Sequence, residues 1–482
     1  MKSILPTAAA LATCLLLADC AINPVTGNPN FVTMTESQEV QVGRQEDVKV
    51  RQMYGVYDDK RLQQYVNEVG QRLARQSHRP GLEYHFTVVD SPEINAFALP
   101  GGYVYITRGI LAYLNSEAEL AGVLGHEIGH VTARHGVQQM GAATAAGVGA
   151  TLLGVFVPQL RNQAGDTAIN MLGNVLLSGY GREHELEADR LGAQYLAGTG
   201  YDPQAMIKVI GVLKNQEMFD AEVAQSEGRE PRAYHGVFAS HPDNDTRLQQ
   251  VVGEAGRPAA GGTRVNQEEF LRAIDRMIYG DSPAQGIFRN GNFYHEDFGL
   301  VLTFPRDWRV QNSPERVLAR NKGDDAIVEL RGAGPAQGSP LDALRKALRG
   351  NLGPETVQRT INGLQAAITT TSVQGMPTRV ALVFLGKAAF LIGGQSKNAQ
   401  AFKRALPEIE TAINSFHAMS DAERKEAKPL VLRIINAPKD TPYSALGAKS
   451  PLGKNAVSLL RLLNGVYPRG EPVAGQPLKV IE

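Results

Sequence analysis

From Ser116 to Gly136 the chain reads SEAELAGVLGHEIGHVTARHG, and Leu120, Val123, Leu124, Ile128 and Val131 recur in it at helical spacing. Ser116 stands three residues before Glu119 in the capping-box arrangement, and Gly136 offers a stop, so the pattern predicts a helix between them. A second helical period runs through GREHELEADRLGAQYLAGTG (181–200), with Leu186, Leu191 and Tyr195 on one side and Gly198 and Gly200 at the end. After the turn Pro100-Gly101-Gly102, YVYIT (103–107) has the composition of a strand. The uncharged tract MGAATAAGVGATLLGVFVPQL (140–160) is dominated by glycine and alanine. It reads as a buried helix or a flexible cover over a cleft, with a membrane-touching hairpin as the alternative.

Past residue 252 the pattern changes. GEAGRPAAGGT (253–263) is a turn-rich linker, followed by the short amphipathic helix NQEEFLRAIDRMI, and the two make up residues 253–285. From 286 to 420, FGLVLTFPRDWRV, DAIVELRG, AAITTTSV and RVALVFLGKAAFLIGG read as strands, while LDALRKALRG and AQAFKRALPEIETAINSF read as helices. This is an α+β domain with no metal-binding or nucleophile constellation, and a core or edge-packing role is expected of its single tryptophan, Trp308.

Composition narrows the function. The 49 lysines and arginines balance 49 aspartates and glutamates, so there is no basic footprint for nucleic acid. The start, MKSILPTAAALATCLLLADC, has one lysine and an apolar run too short to span a bilayer comfortably, which reads as a secretory signal over residues 1–19. Of the two cysteines, Cys14 lies inside that signal, so the exported chain keeps Cys20 alone, without a disulfide partner.

The candidate chemistry lies on the two helices. His126 and His130 are four apart, so on a helix both imidazoles face one side, with Glu127 beside them. A catalytic zinc usually takes a third protein ligand and leaves its fourth position to water. On the second helix Glu185 and Asp189 share a face, while Glu187 points elsewhere. That spacing suits a carboxylate ligand with a second carboxylate one turn away to accept the free N–H of a ligating imidazole, although acidic runs on helices are also simply solvated faces.

INAFALPGGYVYITRGIL (94–111), HEIGH (126–130), GREHELEADRLG (181–192) and SHPDNDTR (240–247) occur together in an order and spacing that resemble the HtpX-like and BepA-like zinc metallopeptidases, bacterial relatives of the prenyl-protein CAAX proteases. The resemblance covers residues 22 to 252 and departs in one place, where Gly181 stands before Arg182 instead of the usual serine. It implies a mostly helical zincin-like peptidase domain with a small sheet over residues 20–252, holding one zinc ion through His126, His130 and Glu185, with Glu127 as the base. Asp189 is expected behind the ligands. His241 and Arg247 are the candidates for stabilising the oxyanion; His241 has two other readings, as a fourth ligand that silences the site and as a turn-capping histidine. In this family the strand after Pro100-Gly101-Gly102 lies beside the metal cleft, where an extended peptide can add to its edge.

Two weaker resemblances complete the expectation. LADC resembles a lipoprotein box, with Cys20 as the residue to be lipidated, although Asp19 replaces the usual small residue. Residues 428–482 resemble a lysin-motif module of strand-helix-helix-strand plan, carried by Asp440-Thr441, Asn464-Gly465 and Gly475-Gln476, which implies either peptidoglycan binding or a structural cap. Together these describe a zinc endopeptidase of the periplasm, anchored to the outer membrane, that acts on misfolded or unassembled envelope proteins. The alternative is an envelope chaperone or peptidoglycan-associated binding factor whose zinc site is silenced.

Overall fold

The computed structural model describes residues 24, 25, 27, 34–143, 180–226 and 263–482. The chain forms two compact units, the first built from residues up to Arg51, Val56–Met277 and Val431–Glu482, the second from Gln52–Gly55 and Ile278–Leu430. The described helices of the first unit's N-terminal part are α1 (Glu36–Tyr54), α2 (Lys60–Ala74), α3 (Arg108–Tyr113), α4 (Glu117–Thr132), α5 (His135–Ala143), α6 (Arg182–Gly198), α7 (Ala205–Ser226) and α8 (Gln267–Ile274). Its strands β1 (His85–Val89), β2 (Ala96–Leu99) and β3 (Tyr103–Thr107) form one small sheet in the order β1-β3-β2.

Helix α4 is buried along its whole length, which explains why its apolar residues spread beyond one stripe. The Ser116 hydroxyl caps it by accepting from Glu119 N–H, and the Glu119 carboxylate in turn accepts from Asn115 N–H. The stop is not Gly136. The helix ends at Thr132, Arg134 turns into the left-handed region at φ 61°, and α5 starts at once from His135. A non-glycine residue keeps that conformation only when its surroundings impose it. Here Arg134 donates to the Glu39 carboxylate of α1 at 3.1 Å and to Met34 C=O at 2.7 Å. Arg79 binds the same buried Glu39 at 2.9 Å and also donates to Val131 C=O, so the end of α4 is fastened to α1.

Strand β3 lies in the middle of its sheet, parallel to β1 and antiparallel to β2, and all five of its residues are buried. The edge expected at Tyr103–Thr107 therefore lies one strand further out, at β2. Thr107 N–H donates to Asn95 C=O, and this pairing phase turns the main-chain groups of Ala98 away from β3, along the outer edge. Between the strands, Gly101 and Gly102 take φ values of 80° and 93°, and a Cβ on Gly101 would stand 2.6 Å from Val40 Cα. Only glycine makes that turn against α1.

The first unit closes with β4 (Leu430–Asn436), α9 (Tyr443–Gly447), α10 (Ala456–Leu463) and β5 (Pro477–Ile481), in which β4 pairs antiparallel with β5. Asn464 bonds both main-chain groups of Lys479. The buried Lys479 ammonium donates to Ala112 C=O at 2.7 Å and Leu114 C=O at 2.8 Å, satisfying carbonyls at the end of α3. Burial pulls that ammonium below its usual range, and the nearby Glu119 pulls it back.

The second unit is α+β. Its main sheet runs, all antiparallel, from Val357–Ile361 through Leu364–Val373, Met376–Leu385, Ala388–Ser396, Ala326–Pro335 and Arg316–Arg320 to Arg309–Asn312. Helix Ala399–Ser415 packs Ile409 and Ile413 on the face shared with Ile392, Val328 and Phe293. Helix Pro340–Ala347 sets Leu344 against Ala367, Leu382 and Leu391 on the other. Trp308 is a core residue whose indole N–H donates to Glu408. Among the described residues no helix is long and apolar enough to cross a membrane.

Replacing Lys479 with methionine keeps most of the buried stem and leaves two buried carbonyls without their donor. Its expected cost is about 1–3 kcal/mol of stability, the usual penalty for leaving a buried polar group unsatisfied. Denaturant unfolding measures the loss, and limited proteolysis should release the segment after Val431 earlier than in the parent protein.

Candidate metal centre

Helices α4 and α6 approach backbone to backbone. A Cβ on Gly129 would stand 3.0 Å from Ala188 C=O, and one on Gly192 would stand 3.0 Å from His126 N. Gly125 faces Gly192 and Leu196 in the same way. This seam brings the Glu185 carboxylate across to the two histidines. His126 Nε2 and His130 Nε2 are 3.0 Å apart, Glu185 Oε2 lies 3.6 Å from the first, and Oε1 lies 3.4 Å from the second.

These distances test the fit of a metal. Tetrahedral zinc, with donors at about 2.0–2.1 Å, holds neighbouring donors about 3.3 Å apart. The three separations straddle that value, and the donor set of two imidazoles and one carboxylate suits zinc. All three side chains are buried, and among the described residues they form the one cluster of this kind. Burial pulls His130 well below the usual imidazole range, although Glu185 pulls it upward, so the ring is neutral and keeps a lone pair for a cation.

Both imidazoles are held from behind. Asp189 Oδ1 lies 2.8 Å from His126 Nδ1, one turn along α6 from Glu185, as the spacing in the sequence suggested. His130 Nδ1 faces a residue the sequence reading missed, His135 Nδ1, at 2.9 Å. His135 Nε2 in turn lies 3.2 Å from Glu187 Oε2, which gives a place to the carboxylate between Glu185 and Asp189. The hydrogen bond from His135 holds the Glu187 carboxyl below its usual range. Tyr180 stacks on His130 with ring centroids 4.0 Å apart, and His184 stacks on His135 at 4.1 Å. His135 comes five residues after His130, off the helical repeat, so only the left-handed turn at Arg134 returns it to the site.

The structure thus gathers His126, His130, Glu185 and Asp189, with Glu127 buried on α4 next to His126. Ala98, Leu99 and Pro100 at the end of β2 line a small cleft together with His130, Val137 and Tyr180. His241 and Arg247 lie outside the described residues, as do Cys20, most of the apolar tract and the linker up to residue 262.

Residues 60–255 match the model of peptidase family M48. Over 398 residues the chain is 32% identical to the beta-barrel assembly-enhancing protease of Escherichia coli K12, a match that spans 78% of this chain and 74% of that protein. The chain belongs to peptidase family M48. It is also 32% identical over 286 residues to the protein of the same name from Yersinia pestis, which covers 57% of this chain and 55% of that one. The mitochondrial metalloendopeptidase OMA1 of Arabidopsis thaliana is 34% identical over 159 residues, 33% of this chain and 31% of its own. M48 peptidases are zinc-dependent metalloendopeptidases, and the cluster of His126, His130 and Glu185 is positioned to bind such an ion.

The seam is testable apart from the donors. Gly192→Val forces α6 away from α4 and should cost about 1–3 kcal/mol of stability, as overpacking does. It should also weaken zinc binding in a chelator competition. Gly211→Ala, on α7 with open space around the position, is the control and should leave both properties unharmed.

Proposed function

We propose that this M48 peptidase cleaves misfolded or unassembled proteins of a bacterial cell envelope, with His126, His130 and Glu185 as zinc ligands and Glu127 as general base. The convergence at 3.0–3.6 Å of two imidazole nitrogens from α4, the helix that also carries Glu127, with the Glu185 carboxylate from α6 is the observation that carries this reading. When bound, zinc supplies Lewis acidity, which polarises a peptide carbonyl and brings the pKa of water towards neutrality. Glu127 takes the proton from the attacking water and hands it to the leaving amine. Asp189 accepts the Nδ1 proton of His126 and so keeps its Nε2 free to ligate. His241 or Arg247 donates to the developing oxyanion.

The outward main chain of β2 offers an edge to which an extended substrate adds by backbone hydrogen bonds, beside the cleft under His130. Such binding selects extended, unfolded chain more than a particular side chain. The beta-barrel assembly-enhancing proteases among its relatives support an envelope substrate. With it go export by the signal at residues 1–19, acylation at Cys20 and a periplasmic place at the outer membrane. The strand-helix-helix-strand order of the last segment fits the lysin-motif reading, and peptidoglycan is then the glycan it would hold.

Two variants test the central assignment. Glu127→Gln should retain one zinc per chain and lose cleavage of an unfolded substrate such as reduced casein, because an amide cannot accept the proton. Glu185→Ala should lose tight zinc and activity together. Cleavage by Glu127→Gln at the parent rate, or stoichiometric zinc in Glu185→Ala, would overturn it.

A further inference from the structure

His135 is wholly buried and takes no part in the reaction described above, yet it sits between the His130 imidazole and the Glu187 carboxylate. The proton positions follow from the geometry. The Nε2 atoms of His126 and His130 converge with Glu185, so a cation takes the lone pair of His130 Nε2. A neutral imidazole that ligates through Nε2 carries its hydrogen on Nδ1. His130 Nδ1–H therefore donates to His135 Nδ1 across 2.9 Å. His135 must then carry its own hydrogen on Nε2, which points at Glu187 Oε2, 3.2 Å away. Each hydrogen bond in the relay fixes the direction of the next.

We propose that His135 is a positioning residue of the metal centre, the neutral acceptor that fixes the tautomer and ring plane of His130 and is itself oriented by Glu187. The inference rests on His130 being a ligand, as read above. Three elements enforce the arrangement. Arg134 in its left-handed turn aims His135 back towards α4. His184 of α6 lies flat against the His135 ring, with 19° between the planes. Glu187, three residues along α6 from His184, closes the relay. The two ligand imidazoles are thus supported unequally, His126 directly by a carboxylate and His130 through a second imidazole.

The test measures zinc affinity by chelator competition on the full chain, alongside denaturant unfolding of the metal-free protein. His135→Leu removes the acceptor and should weaken zinc about 10- to 100-fold, the usual loss for a residue that supports a ligand. His135→Asn places a carbonyl oxygen near the former Nδ1 and should restore affinity to within about 3-fold of the parent. Glu187→Leu leaves the acceptor but frees its ring, so its loss should be smaller than that of His135→Leu. Metal-free stability should not follow the order of the affinities. With cobalt(II) in place of zinc, the visible spectrum of His135→Leu should differ from the parent and that of His135→Asn should match it. Parent-like affinity in His135→Leu, equal losses in His135→Leu and His135→Asn, or losses matched by falling metal-free stability would each overturn the proposal. His130→Ala separates the two ideas. Tight zinc in that variant overturns the ligand assignment itself, whereas loss of zinc there beside an unaffected His135→Leu overturns the role of His135 alone.

Discussion

The close approach of α4 and α6 is the constraint on which the centre depends. Gly125 and Gly129 on one helix meet Ala188 and Gly192 on the other at separations that leave no room for larger side chains. The glycines in GHEIGH therefore belong to the site as much as the histidines do: without them Glu185 would sit too far from Nε2 of His126 and His130 to share an ion. Glycine inside a helix costs roughly 0.5–1 kcal/mol relative to alanine. Here that cost is offset by contact between two buried helices.

Burying α4 entirely creates a second demand, because its polar side chains must find partners away from water. Glu117 shows how this is met at the first turn. Against the burial that would raise it, hydrogen bonds from Tyr201, Tyr65 and Asn266 hold its carboxyl below the usual range, and Arg72 adds a charge. The phenols of Tyr65 and Tyr201 lie 2.7 and 2.5 Å from its oxygens. At the far turn Arg79 and Arg134 bind Glu39 and anchor the last residues of α4 to α1. The metal-facing histidines thus lie between two fastened ends. A helix clamped in this way presents its donors in one fixed orientation, which is what a preformed metal site requires.

Much of the centre was legible because helical spacing is local. The four-residue step from His126 to His130 and from Glu185 to Asp189 puts each pair on one face whatever the rest of the fold does. The glycines that end α6 and the alternation of strands and helices after residue 286 were likewise read from neighbouring residues. What depends on distant residues was not legible. Arg134 keeps its left-handed turn through Glu39, far back in the chain, and neither Gly136 nor any local signal marks it. Composition identified Tyr103–Thr107 as a strand but does not distinguish the middle of a sheet from its edge. The place of His135 beside His130 was hidden for the same reason, since it is reached only through that turn.

The short run ELEAD places three carboxylates, at 185, 187 and 189, in three different jobs. Glu185 and Asp189 are one turn apart and face α4, one towards Nε2 of both histidines and the other towards Nδ1 of His126. Glu187 projects to another side of α6, and on an isolated helix it would be a solvated charge. It meets His135 because the tight turn at Ala133-Arg134 between α4 and α5 brings the first residue of α5 round to that side. One carboxylate contacts the donors directly, and the other two hold the two imidazoles from behind at different distances. In the proposed centre the direct carboxylate polarises His126 more strongly than an imidazole polarises His130. The inequality follows from sequence spacing, because a helix that turns Glu185 and Asp189 towards α4 cannot turn Glu187 there too.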